Sequence, residues 1–124
     1  MSVNEAIKKR RSIRIYEEGA KISDEHIKEI LEAGMLAPSA RNSRPWEFLI
    51  VKNREKLDEI TNIPDSHYNM LKTASIAIIV CANLELSYKE FFPQDCAAAT
   101  QNILLQSAEL GLRNMLVWNI SQRR

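Results

Sequence analysis

Two short segments of this sequence contain the side chains best suited to chemistry. The first is the run Arg10-Arg11-Ser12-Ile13-Arg14, which places three guanidinium groups and a hydroxyl within five residues, just after a helix-like segment. Guanidinium groups suit phosphate oxygens because their planar, paired donors match the geometry of the anion. On composition alone, the run could also be a solvated basic helix end, where cations complement the helix dipole. It is therefore a candidate phosphate site with a structural alternative.

The second segment is the run Pro38-Ser39-Ala40-Arg41-Asn42-Ser43-Arg44-Pro45-Trp46, in which small and amide residues precede a Pro-Trp pair and an apolar stretch. Such a turn can bring backbone donors and an amide edge-on to a flat heteroaromatic ring. The alternative is a loop that only ends a helix, with a proline and an Asx turn. One segment suited to a phosphate and one suited to a planar ring together indicate a nucleotide-like cofactor.

Length and composition restrict the class of protein. The 124 residues predict a single domain over 1–124, and the hydrophobic content of 45% and charged content of 27% are ordinary for a globular protein. The net charge of +1 gives no reason to expect a nucleic acid or membrane partner. No apolar stretch approaches the roughly 20 residues that span a bilayer, and no secretory signal is recognisable. We expect a cytoplasmic location.

The cysteines and histidines do not form a recognisable reactive or metal-binding pattern. Cys81 and Cys96 are the only cysteines, and we interpret them as small buried apolar residues in a reducing compartment. With His26 and His67, they lack the close spacing of a metal site. There is no Ser/His/Asp arrangement and no Gly-rich phosphate loop, so we predict no catalytic side chain.

Local patterns predict helices and strands that interleave without a strict βαβ rhythm, which suggests an α+β fold. The first half of the chain should contain a helix over 3–9 after a capping box at Ser2, and a second helix that follows Ser23 and ends before Pro38. A strand over 46–51 and a short helix over 54–60 should come next. The second half should contain a central strand over 75–81, apolar on both faces, and a long helix from Pro93 to about Leu110 with Gly111 at its end. The second helix should bury Ile27, Ile30, Leu31 and Met35, and Trp46 should pack in the core.

The order of these motifs resembles the nitroreductase family of FMN-dependent oxidoreductases. The resemblance rests on the N-terminal arginine run, the pattern Ala-Pro-Ser-Ala-x-Asn-x-x-Pro-Trp and the segment Gln94-Asp95-Cys96-Ala97-Ala98-Ala99-Thr100-Gln101-Asn102, and it extends from residue 3 to about Leu112. It implies an α+β fold with a central, mostly antiparallel sheet flanked by helices. It also implies a homodimer with flavin at the subunit interface.

The same resemblance assigns cofactor-binding roles to individual residues. Arg10, Ser12 and Arg14 would contact the FMN phosphate and ribityl chain, and Arg11 would contribute partly through its backbone. Pro38, Ser39, Ala40 and Asn42 would lie over or beside the isoalloxazine ring, often that of the flavin held by the other subunit. His67 lies where family members often place a polar side chain near the flavin, although a surface histidine is the simpler interpretation. Arg44 departs from the pattern, since glutamine is common there, and its cation would change the charge near the site.

The implied activity is an FMN-dependent oxidoreductase with a ping-pong mechanism. NAD(P)H would deliver hydride to the flavin and leave, and a nitroaromatic, quinone or similar acceptor would then take the electrons. The protein would supply orientation and electrostatics while the cofactor does the difficult chemistry. The alternatives are a truncated, inactive flavin-binding or interaction module, and a family offshoot that degrades its flavin or removes halide.

The last residues do not match the family pattern, which continues beyond the long helix with a Gly-rich strand and a further segment. We interpret 113–124 as a non-family tail and the fold as lacking its C-terminal part. Back-translation permits a frame in which one fewer nucleotide after the Leu112 codon encodes Gly-Thr-Cys-Trp-Cys-Gly-Ile-Tyr-Pro, similar to the family continuation. A single-nucleotide insertion, real or from sequencing, is therefore our hypothesis. Such a tail should pack poorly and weaken FMN binding.

Overall fold

The computed structural model of the chain describes residues 1–64 and 67–116. In chain order these residues form α1 (Val3–Lys9), α2 (Asp24–Met35), β1 (Trp46–Val51), α3 (Arg54–Thr61), β2 (Ala77–Ala82) and α4 (Phe92–Glu109), with short 3-10 turns at Ala40–Asn42 and Asn69–Lys72. The predicted boundaries agree to within a few residues. The longest element, α4, is contacted by α1, α2 and both strands.

Side-chain caps explain where the three shorter helices begin. Ser2 and Glu5 form a reciprocal capping box, in which the Ser2 N–H donates to Glu5 Oε2 at 2.8 Å and the Glu5 N–H donates to Ser2 Oγ at 3.2 Å. Ser23 caps α2 and Asn53 caps α3, each accepting a hydrogen bond from the backbone N–H three residues further on. Each cap satisfies a donor that a helix start would otherwise leave unpaired.

The two strands form an antiparallel pair in which Trp46 lies opposite Ala82 and Val51 lies opposite Ala77. Trp46 is buried. It packs with Ala37, which follows α2, and with Ala99 of α4, which confirms its predicted place in the core. Helices on one face of an antiparallel sheet also confirm the α+β fold class.

The opposite face of the sheet is open, and here one expectation was wrong. We predicted that residues 75–81 form a strand buried on both faces, but Ile79 is 39% exposed and Cys81 is also exposed. On β1, Leu49 is 56% exposed. The reason is that α4 packs against the other face, where Trp46 and Val80 pack with Ala99, so an apolar pattern that suits burial on both sides is left exposed at Leu49 and Ile79.

The contact between α2 and α4 depends on a glycine. Ile27 and Ile30 are buried as predicted, but Met35 is 52% exposed and Gly34 takes its place in the buried stripe. Gly34 lies about two helical turns after Ile27, so the two share a face, whereas Met35 is rotated out of it. A Cβ atom on Gly34 would lie 3.0 Å from the side chain of Ile103 on α4, so the glycine allows a close approach of the helices.

Within the described ranges, no helix is both long enough and apolar enough to cross a bilayer.

Candidate functional site

The arginine-rich segment is extended and attached at both ends. Arg10 ends α1, and its N–H donates to the carbonyl of Ala6 at 2.9 Å. Ser12 then forms an isolated parallel bridge with Asn114, and the Ile13 N–H donates to the Asn114 carbonyl at 3.0 Å. The segment is held again where the Tyr16 N–H donates to the hydroxyl oxygen of Thr73 at 3.1 Å. Its backbone is therefore fixed by residues distant in the sequence.

Among the described residues, the guanidinium groups of this segment have no acidic partner. Arg11, Ser12 and Arg14 are exposed and Arg10 is half-buried. No salt bridge joins any of the three arginines to a carboxylate within 1–64 and 67–116, and none of their side chains donates a hydrogen bond there. Paired guanidinium donors that no internal acceptor occupies are the chemistry that a phosphate group requires. The segment therefore fits an anionic ligand.

The residue that anchors this segment lies in the predicted tail. Asn114 Nδ2 donates to the Leu104 carbonyl on α4 at 3.1 Å, and the Leu112 N–H donates to the Ser107 carbonyl at 2.9 Å. Gly111 turns the chain out of α4 with a φ of 77°, which a glycine adopts without cost. Residues 117–124 of the predicted tail lie outside the described residues.

The second candidate segment is a loop with an uncommon backbone. Arg41, Asn42 and Arg44 have φ values of 50°, 55° and 45°, in the left-handed region that residues other than glycine seldom occupy. The loop is closed by two bonds to Ser39, whose carbonyl accepts from the Asn42 N–H at 2.9 Å and whose Oγ accepts from the Arg44 N–H at 2.9 Å. Strain of about 1–3 kcal/mol per residue persists only where surrounding structure enforces it, and such loops cluster at binding sites.

A buried carboxylate from α4 enforces that shape. Asp95 is only 5% exposed, and its Oδ1 accepts a hydrogen bond from the Ala40 N–H at 2.9 Å. Its second oxygen, Oδ2, is buried and has no partner among the described residues. Asp95 also lies in the first turn of α4, where the helix dipole favours a negative charge. Sequence analysis did not single out Asp95, although an acid in a helix otherwise lined by small apolar residues was an available signal.

The same bonds determine which loop donors remain available. The N–H groups of Ala40, Asn42, Ser43 and Arg44 are all committed inside the protein. The backbone donors that we expected to meet a planar ring are therefore largely occupied. The side-chain amide of Asn42, which is exposed, remains available, as do the small side chains beside it.

Aromatic and cationic side chains lie against the outer side of the loop. The Arg41 guanidinium carbon is 4.7 Å from the centroid of the Tyr88 ring, and Lys89 Nζ is 5.3 Å from the same centroid. Tyr88 also stacks on Phe91, with ring centroids 6.1 Å apart and planes 6° from parallel. Sequence analysis did not predict this cluster, because it joins two loops that are far apart in the chain.

The predicted cofactor-binding residues fall into two groups at different levels of α4. Asp95 holds the loop near the start of α4, whereas Asn114 attaches the arginine segment at Leu104. These attachment points are separated by roughly 14 Å along the helix, at 1.5 Å per residue. No hydrogen bond of the described residues joins the two groups directly. Pro38 is exposed at the start of the loop, and His67 is exposed elsewhere.

The two cysteine thiols differ in exposure. Cys81 is exposed, so our expectation of a buried residue was wrong for it, because its side of the sheet is uncovered. Cys96 is half-buried. Desolvation is the largest cause that raises the pKa of its thiol, and the nearby Asp95 and Cys81 raise it further. In the part of the chain that the structure describes, no three His, Cys, Asp or Glu side chains converge to form a metal site.

Comparison with known proteins gives a consistent result. The nitroreductase family model matches residues 7–78. A candidate NADH dehydrogenase/NAD(P)H nitroreductase of Methanothermobacter thermautotrophicus is 47% identical over 113 residues, which cover 90% of this chain and 58% of that protein. The corresponding protein of Archaeoglobus fulgidus is 48% identical over 111 residues, with 88% and 62% covered.

Solved structures agree in fold. The crystal structure of a candidate NADH oxidase from Clostridium acetobutylicum matches with a TM-score of 0.79 at 45% identity, covering 85% of this chain and 63% of that one. A candidate nitroreductase from Desulfovibrio desulfuricans, solved in complex with FMN, matches with a TM-score of 0.77 at 35% identity, with 89% and 64% covered. The chain thus spans about 60% of the length of these relatives.

Proposed function

The chain belongs to the nitroreductase family, and we propose that it functions as an FMN-dependent oxidoreductase that passes electrons from NADH or NADPH to a small electron-poor acceptor. The observation that carries this proposal is the extended segment with three guanidinium groups that have no acidic partner within residues 1–64 and 67–116. FMN-bound relatives of the same fold support the choice of ligand. FMN, when bound, would supply the hydride-accepting chemistry.

In this proposal the N-terminal segment holds the charged end of the cofactor. Arg10 and Arg14 donate to the phosphate, Ser12 contributes its hydroxyl, and Arg11 contributes partly through its backbone. The parallel bridge from Ser12 to Asn114 keeps the segment extended, so its donors are already arranged before the ligand arrives. Such preorganisation reduces the entropy that binding must overcome.

In this proposal the loop over 38–42 contacts the isoalloxazine ring of FMN. Pro38, Ser39 and Ala40 offer small surfaces that a ring can approach closely, and Asn42 offers an amide that can donate or accept at its edge. Asp95 fixes the loop through the Ala40 N–H. His67 stays a weaker candidate, since nothing ties it to either group. We expect ping-pong kinetics with nitroaromatic or quinone acceptors, because both substrates would use the space beside this loop in turn.

A homodimer stays a prediction of the family resemblance. In it, one copy of the chain supplies the phosphate contacts of a flavin and a second copy supplies the loop. A cytoplasmic location also stays a prediction.

The decisive experiment is a titration of the purified chain with FMN, in which binding is followed by flavin fluorescence and by the visible absorption band of the flavin. We expect saturable binding and bleaching of the band by NADH or NADPH without oxygen. The double variant Arg10→Gln and Arg14→Gln should bind FMN at least about 100-fold more weakly, since each of the two arginines loses a hydrogen bond to a charged group that contributes about 1.5–3 kcal/mol.

The matched control is Lys28→Gln, which removes one positive charge from an exposed position on α2. It should leave FMN affinity unchanged. If the chain ignores FMN, or if Lys28→Gln weakens binding as much as the double variant does, the proposed site is wrong. Binding without bleaching would favour the second candidate function, a flavin-binding module without oxidoreductase activity.

A further inference from the structure

One cluster of charged side chains has no role in the function proposed above. Arg41 and Lys89 both lie on the ring of Tyr88, with their cationic atoms 4.7 Å and 5.3 Å from its centroid. Both distances fall within the range of cation–π attraction. Phe91 stacks on Tyr88 and supports the ring. Two loops that are distant in sequence thus deliver two cations to one aromatic platform.

The two cationic atoms are close to each other. Since they lie 4.7 Å and 5.3 Å from one ring centroid, they are at most about 10 Å apart, which is about one Debye length at 0.1 M salt. No carboxylate of the described residues forms a salt bridge with Arg41 or Lys89, although Glu90 follows directly in the chain. An anion bound within reach of both would be attracted by the two charges at once.

The backbone gives a second, independent indication. Arg41 has a φ of 50° and Lys89 a φ of 51°, so each long cationic side chain leaves the backbone from a conformation that costs free energy for residues other than glycine. The Arg41 guanidinium lies over the Tyr88 ring, and its N–H groups donate to no acceptor among the described residues. The donors at its edge are left available to a planar or tetrahedral oxyanion.

The cluster is also in the right place for a substrate. Arg41 stands between Ala40 and Asn42, the two loop residues that we assign to the flavin ring. We propose that Arg41 and Lys89, held by Tyr88, form a binding site for an oxyanion, phosphate or carboxylate, carried by one of the two substrates. This proposal rests on the proposed function and adds a basis for substrate selection. The anion is either the 2′-phosphate of NADPH or a carboxylate on the electron acceptor.

The test follows the Nε–H signals of arginine side chains by NMR in the 15N-labelled 124-residue chain, with saturating FMN present. The Arg41 signal is identified by its loss in Arg41→Gln. Adenosine 2′-phosphate represents the NADPH phosphate, and 4-nitrobenzoate represents a carboxylated acceptor. Adenosine and 4-nitrobenzamide are the matched uncharged controls. We expect one of the two anions to shift the Arg41 signal saturably, and its uncharged control to leave that signal in place.

Two variants of the platform test the geometry. Tyr88→Leu keeps both cations but removes the ring, and it should weaken anion binding about tenfold, the loss of one modest oriented interaction. Tyr88→Phe keeps the ring and should bind like the unmodified chain. Arg41→Gln, at an exposed position with little risk to folding, should lower the affinity at least as much as Tyr88→Leu, measured through the Tyr88 ring signals.

The outcomes separate this proposal from the function on which it rests. An Arg41 signal that neither anion moves, or an affinity unaffected by both Arg41→Gln and Tyr88→Leu, would overturn the oxyanion site. A failure of FMN to move the signals of Arg10 and Arg14 would instead overturn the proposed function. A response to adenosine 2′-phosphate alone assigns the site to the electron donor, and a response to 4-nitrobenzoate alone assigns it to the acceptor.

Discussion

Replacing Asp95 by alanine should release the loop while changing global stability only a little. The Ala40 N–H would lose an acceptor at 2.9 Å that carries a charge, a bond worth about 1.5–3 kcal/mol. In the other direction, alanine removes a buried carboxylate whose Oδ2 has no partner, and alanine favours the helix. The opposing effects should nearly cancel for unfolding of the whole chain, but not for the loop itself.

The assay is amide hydrogen exchange, residue by residue. In Asp95→Ala the protection of the Ala40 amide should fall about 10- to 100-fold, because protection reports the free energy of the local bond. Asp95→Asn is the matched control, since its Oδ1 can still accept from Ala40 while the charge is gone. It should retain part of the protection, because a neutral hydrogen bond still contributes about 0.5–1.5 kcal/mol, and it should also lose about 0.3–1 kcal/mol of interaction with the helix dipole.

Two results would refute this reasoning. Unchanged exchange at Ala40 in Asp95→Ala would mean that the loop keeps its shape without the carboxylate. Equal loss of protection in Asp95→Asn would mean that charge, and not the placement of an acceptor, controls the loop. If the proposed function holds, FMN affinity should follow the same order, with Asp95→Ala weaker than Asp95→Asn.

Two further predictions concern packing and thiol reactivity. Gly34→Leu should lower the free energy of unfolding, measured in urea, by about 1–3 kcal/mol, because even a Cβ atom would lie 3.0 Å from the side chain of Ile103. Gly34→Ala should lower it less. Equal stability of Gly34→Leu and the unmodified chain would contradict the close packing. Iodoacetamide should label the exposed Cys81 before the half-buried Cys96. Because burial raises the pKa of the Cys96 thiol, the pH at which Cys96 becomes half-reactive should lie above that of an unfolded cysteine. Equal labelling rates of the two cysteines, measured by mass spectrometry, would disprove this.

Local signals in the sequence were sufficient to place most elements. Ser2 and Ser23 were recognisable as helix starts because a cap depends only on residues three or four positions away. The strand over 46–51 was predicted with the bounds that the structure has. The second strand was shifted by up to two residues, since its ends depend on pairing with β1.

Burial and the details of the site could not be predicted in the same way. The exposure of Ile79 depends on whether another element covers the sheet, and no local pattern records that. The bond from Asp95 to Ala40 and the position of Arg41 on Tyr88 join residues whose separation in the chain hides their contact. The two candidate segments were recognisable by type, but which of their donors are available became clear only from the structure.

The pairing of Ser12 and Ile13 with Asn114 has a consequence for biosynthesis. A ribosome makes the arginine-rich segment first, yet the partner that straightens it is among the last residues of the described chain to emerge. Until then the nascent chain carries a flexible basic stretch, which is open to passing anions and lacks the shape that would make it selective. Ligand recognition by this segment should therefore arise late in synthesis, after α4 has left the exit tunnel, even though every residue that we assign to the phosphate there is translated early.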